Sequence, residues 1–61
     1  MGRRLKKLRE ERDMSRAELA ERAGISREYV RLLESGSYDP TVGTLQNLAR
    51  ALGVALTDLL G

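Results

Sequence analysis

The stretch SRAELAERAGISREYVRLLESG (residues 15–36) predicts two short helices joined by a tight turn. Ser15 and Glu18 have the spacing of a capping box, in which the serine accepts from a first-turn amide and the glutamate bonds back to the cap. Gly24 follows the first apolar stripe and can adopt the left-handed conformation that ends a helix. Ile25 then fills the turn and Ser26 caps the second helix. The stretch therefore predicts two helices with a turn of three or four residues between them.

The same local signals predict three further helices around this pair. The first helix is expected from about residue 3 to 13, after a loosely held lead at residues 2–4. The central pair covers about 16–23 and 27–35. The fourth helix begins after a Thr41 cap and stops at Gly53, and the fifth covers 56–60. No β-alternation, repeat or linker is present, so we expect an all-α, five-helix bundle forming a single domain over residues 1–61.

Apolar spacing predicts which side chains of the first and fourth helices face inward. The expected inward positions are Leu5, Leu8, Arg9 and Arg12 in the first helix, and Val42, Leu45, Leu48, Ala49 and Leu52 in the fourth. Two arginines thus share a stripe with two leucines. An arginine that turns inward needs a paired acid, because an unpaired buried charge is costly. Alternatively, its aliphatic stem lies over the core while the charge reaches solvent.

Composition excludes several classes of function. The 61 residues include no Cys and no His, which removes disulfides, the usual zinc sites and nearly all nucleophilic or imidazole catalysis. No pair of carboxylates stands out, and no apolar run approaches membrane-spanning length. We therefore expect a cytoplasmic, non-enzymatic protein with no metal, no cofactor and no small-molecule ligand.

Charge is distributed unevenly along the chain. Residues 1–31 hold ten Lys/Arg and six Asp/Glu, a net of +4, whereas residues 32–61 hold one arginine and three acids, a net of −2. This split fits an anion-binding face built from the first three helices. The alternative is that charged helices only keep a small protein soluble, and charge alone does not separate the two interpretations.

The chain resembles the phage repressor/Cro-like helix-turn-helix family over nearly all of its length. The matching segments are LKKLREER (5–12), SRAELAERAGIS (15–26), YVRLLESG (29–36), Pro40, TLQNLARALGV (44–54) and LTDLL (56–60). Each segment alone is common, but their order and spacing together are specific. The resemblance implies a lambda repressor-like DNA-binding domain, whose second motif helix lies in the DNA major groove.

Four residues on the second motif helix are candidates for contact with DNA bases: Arg27, Glu28, Arg31 and Leu32. Arginine is the usual bidentate partner of guanine in the major groove. Glu28 would accept from cytosine N4 or simply pair with Arg31. Leu32 matches a family position that often reaches bases, where it would contact a thymine methyl, or else it is a peripheral core residue.

A second set of residues flanks this helix and is expected to contact phosphates: Ser15, Arg16, Ser26, Tyr29, Ser37, Tyr38 and Thr41. Arg16 matches a family position, commonly Gln, that contacts the DNA backbone. The amides and dipole of the adjoining helix N-terminus also attract anions. Tyr29 has the alternative role of shielding the edge of the core.

The resemblance further implies a structural ion pair between Arg9 and Glu34, and a homodimer interface on the fifth helix. Val54, Leu56 and Leu60 supply apolar side chains for a weak homodimer. Together these features predict a sequence-specific binder of double-stranded DNA, a transcriptional repressor or regulator that acts as a dimer on a near-palindromic operator. The alternatives are an antitoxin or a restriction-modification controller protein with autoregulatory DNA binding, or a protein-interaction module of the same fold.

Overall fold

The computed structural model describes all 61 residues, which form five α-helices and no strand. The helices are α1 (Gly2–Glu11), α2 (Arg16–Ala23), α3 (Arg27–Ser35), α4 (Val42–Leu52) and α5 (Leu56–Leu60). The all-α, five-helix fold class is therefore confirmed. None of these helices has both the length and the hydrophobicity needed to span a membrane.

The turn between α2 and α3 has the predicted local chemistry. Ser15 Oγ accepts from the Glu18 amide at 3.0 Å, and Glu18 Oε1 accepts from the Ser15 amide at 3.1 Å. Gly24 ends α2 with φ of 72°, a left-handed conformation that side chains rarely adopt. The Ile25 amide then donates to the Ala20 carbonyl at 3.0 Å, which closes the helix end. Local signals alone therefore determine where this motif turns.

Two predictions about α1 were wrong: residues 2–4 are not a loosely held lead, and the helix ends before residue 13. Residues 2–4 are helical, and a Cβ on Gly2 would lie only 2.5 Å from the Glu34 carbonyl oxygen. Glycine is thus required where α1 approaches the end of α3. The helix stops at Glu11, so Arg12 lies at the C-cap rather than on the inward stripe. Arg12 is exposed, and its Nη1 donates to the Leu8 carbonyl at 3.3 Å.

The core lies where all five helices meet. α2 packs against α3 and α4, α1 packs against α3 and α5, and α4 also packs against α5. Twelve apolar residues are buried there: Leu5, Met14, Leu19, Ala20, Ala23, Val30, Leu33, Leu45, Leu48, Ala49, Leu52 and Leu59. This packing fixes the buried face of α3 against the bundle and leaves its opposite face exposed.

Val42 was predicted to face the core and does not, since it is 68% exposed. The buried stripe of α4 begins one turn later, at Leu45. Val42 therefore contributes to the surface beside the α3–α4 loop.

Candidate nucleic-acid interface

The solvent-facing side of α3 carries three of the four predicted base-contacting residues. Arg27, Glu28 and Arg31 are all exposed, whereas Val30 and Leu33 of the same helix are buried. Leu32 is half-buried but is not among the partly buried apolar residues that pack against the core. α3 thus has one face fixed by the core and an opposite, positively charged face open to a ligand.

Glu28 and Arg31 form an ion pair one helical turn apart. Arg31 Nε donates to Glu28 Oε1 at 2.9 Å, and Arg31 Nη2 donates to the other carboxylate oxygen. These hydrogen bonds lower the pKa of Glu28 and raise the pKa of Arg31. Both side chains are largely solvent-exposed, so the pair is one that a ligand can rearrange. Of the two roles considered for Glu28, pairing with Arg31 is the one present without DNA.

Arg27 differs from Arg31 in having no partner within the chain. It forms no hydrogen bond and no ion pair, and it lies in the first turn of α3, next to the Ser26 cap. Its guanidinium is therefore free for an external acceptor such as a base edge or a phosphate.

Glu34 lies at the opposite end of α3 and joins it to α1. Arg9 Nε donates to Glu34 Oε2 at 2.6 Å, and Arg9 Nη2 donates to Oε1 at 3.3 Å. Arg9 Nη1 also donates to the Met14 carbonyl at 2.7 Å. The side chains of Arg9 and Glu34 are only 10% and 2% exposed. The ion pair named from the family resemblance is thus present, and it also holds the α1–α2 turn.

Arg16 makes a contact with Glu34 that the sequence did not indicate. Its Nε donates to Glu34 Oε1 at 2.9 Å, while its side chain remains 40% exposed. Burial alone would raise the pKa of Glu34, but the hydrogen bonds from Arg9 and Arg16 outweigh this effect and lower it. The terminal nitrogens of Arg16 form no other hydrogen bond within the chain. Arg16 is therefore anchored by Nε and open at its tip.

The hydroxyl groups predicted to contact phosphate mostly have structural partners. Ser15 and Ser26 each accept from a first-turn amide at 3.0 Å, which leaves their hydroxyl hydrogens available. Thr41 is more fully engaged, since it accepts from the Thr44 amide at 3.1 Å and donates to Thr44 Oγ1 at 3.0 Å. Any phosphate contact at the start of α4 would therefore come from backbone amides rather than from the Thr41 hydroxyl.

The remaining phosphate candidates lie on or after α3. Ser37 is exposed, with its Oγ 2.9 Å from that of Ser35. Tyr38 is exposed in the loop before α4, whereas Tyr29 is half-buried and packs against the core. Of the two roles considered for Tyr29, shielding the core is therefore the one present without DNA.

The three apolar residues assigned to a dimer interface differ in exposure. Leu60 is 61% exposed, whereas Val54 and Leu56 are partly buried against the core. Leu60 lines a surface cavity between α1 and α5 that is also lined by three cations and one acid, so its charge is positive on balance: Arg3, Arg4, Lys7 and Glu11. The available apolar area on α5 is therefore small and bordered by positive charge.

A helix-turn-helix with a cationic outer face on its second helix defines a class of DNA-binding domain. The chain belongs to the helix-turn-helix family, whose model matches residues 5–59. This match confirms the predicted family and includes every helix that builds the face described above.

Two relatives show what this chain is similar to in sequence. The immunity repressor protein of Bacillus phage phi105 is 38% identical over 61 residues, which are 100% of this chain and 42% of that protein. An HTH-type transcriptional regulator of Sinorhizobium fredii is 40% identical over 60 residues, covering 98% of this chain and 78% of that protein. The chain therefore spans less than half of the phage repressor but most of the second relative.

Solved structures agree on the fold. The restriction-modification controller protein C.AhdI from Aeromonas hydrophila matches with a TM-score of 0.93 and 33% identity, over 95% of this chain and 88% of that one. The N-terminal DNA-binding domain of SinR from Bacillus subtilis matches with a TM-score of 0.90 and 33% identity, over 98% and 88% of the two chains. The resemblance found in the sequence thus extends to the whole arrangement of helices.

Proposed function

We propose that this chain binds double-stranded DNA sequence-specifically and acts as a transcriptional regulator of the repressor type. The observation that carries the proposal is the exposed face of α3, where Arg27 has no partner and Arg31 lies one turn further along. This face belongs to the second helix of the motif, the one that enters the major groove in such domains.

Base recognition is assigned to Arg27, Glu28, Arg31 and Leu32. Arg27 is the strongest candidate, because an unpaired guanidinium can donate two parallel hydrogen bonds to guanine O6 and N7. Leu32 would offer an apolar contact to a thymine methyl, since its half-buried side chain lies outside the packed core.

Phosphate contacts are assigned to the residues around both ends of α3: Ser15, Arg16, Ser26, Tyr29, Ser37, Tyr38 and Thr41. Arg16 adjoins Glu34, which lies seven residues along α3 from Arg27, or about 10 Å along the helix axis. Arg16 would therefore contact the phosphate backbone beside one end of the recognition helix, while Arg27 contacts bases from the other end.

The proposed assembly is a homodimer on a near-palindromic operator, formed through Val54, Leu56 and Leu60. A dimer places two α3 helices about one helical turn of DNA apart, which doubles the sequence contacted. The limited apolar area on α5 supports a dimer that is weak in solution and tightens on DNA.

A restriction-modification controller is the second candidate, and the likeness to C.AhdI favours it. Both candidates bind DNA, so the position of the operator separates them. A controller with autoregulatory binding has its operator upstream of its own gene.

The proposal is tested by selecting binding sites from random duplex DNA and then measuring the affinity of variants. Arg27→Ala should cost mainly operator affinity, by about 1–3 kcal/mol, and relax the preference at one base pair. Arg16→Ala should instead weaken operator and scrambled DNA alike and lower the salt slope by about one ion per domain. Arg50→Ala is the matched control, because it removes one exposed positive charge from α4.

Equal loss on operator and scrambled DNA for Arg27→Ala would mean that α3 acts only as a charged surface. Selection that returns no enriched sequence would contradict sequence-specific binding itself. Thermal unfolding of each variant distinguishes these outcomes from loss of fold, which matters for Arg16 because it also contacts Glu34.

A further inference from the structure

We propose that Glu28 acts through Arg31: it holds one edge of the guanidinium so that the other edge is presented to a guanine. The inference rests on the proposed function of α3 as the recognition helix. It replaces the base contact assigned to Glu28 above with a positioning role, because both carboxylate oxygens already accept from Arg31.

The geometry of the pair leaves half of the guanidinium free. Arg31 donates to Glu28 through Nε and through one hydrogen of Nη2. A guanidinium has five N–H groups in one plane. The adjacent edge, formed by Nη1 and the second hydrogen of Nη2, has no partner within the chain. Guanine O6 and N7 accept two parallel hydrogen bonds from such an edge. Glu28 and guanine can therefore hold Arg31 at the same time.

Holding the side chain in advance reduces the cost of recognition. A free arginine loses rotamer entropy when it is immobilised on a base, and that loss opposes binding. Arg31 is exposed and has no other partner to fix it, so the pair with Glu28 supplies its only tether. The tether spans one turn of the same helix, which limits how far the guanidinium can move from the α3 surface.

The carboxylate has a second, opposite effect on DNA that lacks the guanine. It places a negative charge on the face that approaches phosphates, beside both Arg27 and Arg31. On random DNA this repulsion is not offset by an oriented base contact. Glu28 should therefore raise operator affinity and lower non-specific affinity, so that both effects increase specificity.

The test compares Glu28→Ala with Glu21→Ala on the selected operator and on scrambled DNA. Glu21 is an exposed α2 carboxylate that forms no ion pair, so its variant reproduces the change in net charge without the tether. Relative to Glu21→Ala, Glu28→Ala should lose roughly threefold or more of the preference for guanine at one base pair. Affinity for scrambled DNA should stay equal or rise.

Two further variants identify the route of the effect. Glu28→Gln should recover part of the preference, because its amide oxygen can still accept from Arg31. In an Arg31→Ala background, Glu28→Ala should leave the preference at that base pair unchanged. Glu28 and Arg31 are both exposed, so these variants are expected to fold normally. Circular dichroism checks their folding.

The proposal is overturned if Glu28→Ala keeps the wild-type preference at every position of the operator. It is also overturned if Arg31→Ala retains a preference at that base pair and adding Glu28→Ala removes it, since Glu28 would then contact a base directly. A wild-type chain without any sequence preference is a separate result, which removes the proposed function and this inference with it.

Discussion

The carboxylate of Glu34 receives hydrogen bonds from two arginines on two other elements, Arg9 of α1 and Arg16 of α2. The first contact was expected from the family resemblance. The second was not, because the direction of the Arg16 side chain depends on how α2 packs against the end of α3. Sequence spacing within α2 carries no information about that approach. The phosphate candidate and the structural ion pair are therefore parts of a single network.

The lowered pKa of Glu34 makes stability depend on acid. The unfolded carboxyl titrates near pH 4.3, about the ordinary value. Its folded pKa is lower, because the arginine hydrogen bonds outweigh burial. The stabilisation is therefore complete above the unfolded value and is lost as the pH falls through the folded value. Urea unfolding of the wild type should show a steep loss of stability below about pH 4.

Glu34→Gln should remove that steep loss and lower stability at neutral pH by about 3 kcal/mol, because Arg9 keeps a buried charge without its counter-charge. Glu10→Gln, at an exposed site on α1 with no ion pair, is the matched control and should behave as the wild type. Parallel pH profiles for wild type and Glu34→Gln would show that another carboxyl controls acid unfolding.

At the scale of elements, the ends of the helices were the most predictable feature of the fold. The bounds of α2 and α3 match the predicted 16–23 and 27–35, since Ser caps and Gly stops act locally. The end of α1 was predicted at residue 13 but lies at Glu11. The left-handed residue after this helix is Asp13, with φ of 53°, and not a glycine that the sequence would reveal. Val42 fits the apolar spacing of α4 and is nevertheless exposed, because spacing within one helix does not specify which of its turns pack against other helices.

The exposure of the proposed base-contacting side of α3 was also predictable, because the buried stripe of the helix determines which side faces solvent. The hydrogen-bond and ion-pair partners of the exposed side chains were harder to predict. Pairing of Glu28 with Arg31 was one of two alternatives, and only rotamers of the folded helix select it. Thr41 was predicted to cap α4 and does so, but the additional hydrogen bond from its hydroxyl to Thr44 Oγ1 was not predicted.

The strained end of α1 gives a stability prediction. Asp13 adopts a left-handed conformation, which aspartate tolerates better than most residues and glycine adopts most readily. Asp13→Gly should therefore raise the free energy of unfolding by no more than about 0.5 kcal/mol, because the larger entropy of glycine in the unfolded chain offsets part of the relief. Gly24→Ala is the reciprocal variant, with nothing within 4 Å of its added Cβ, so its effect isolates backbone strain. It should lower stability by about 1 kcal/mol.

Urea titration of both variants against the wild type measures these differences at equilibrium. A destabilised Asp13→Gly protein would mean that the aspartate contributes more through its side chain than it costs in strain. A neutral Gly24→Ala would mean that the turn between α2 and α3 relaxes to accommodate the new side chain.

At the scale of the whole molecule, positive charge lies on more than one surface. The cations of α3 and Arg16 belong to the proposed DNA face, whereas Arg3, Arg4 and Lys7 border the cavity between α1 and α5. That second group lies beside Leu60, the most exposed of the apolar residues assigned to the dimer. The excess of positive charge in the first half of the sequence therefore comes from two separate surfaces of the folded chain. One is the proposed DNA-binding face, and the other is the rim of the proposed dimer interface.

This arrangement predicts how the proposed dimer should respond to salt. A two-fold interface brings the same patch of both copies together, so the Arg3, Arg4 and Lys7 groups of each copy would lie near those of the other. Their repulsion weakens association at low ionic strength and is screened as salt is added. Sedimentation equilibrium without DNA should therefore show a weak dimer that tightens as salt rises. Leu60→Ser should weaken it at every salt concentration, whereas Val42→Ser, at a similarly exposed apolar site on α4, should not.

The opposite salt dependence, with association strongest at low salt, would point to an interface between oppositely charged surfaces and away from α5. A chain that stays monomeric at all concentrations, and that binds one half-site as well as two, would rule out the dimer altogether. Because non-specific DNA binding weakens as salt rises, measuring self-association in the absence of DNA is essential: the two equilibria are expected to move in opposite directions. These opposite salt dependences distinguish self-association through α5 from DNA binding through α3 in the wild-type protein. The Leu60 and Val42 variants then identify which residue forms the dimer contact.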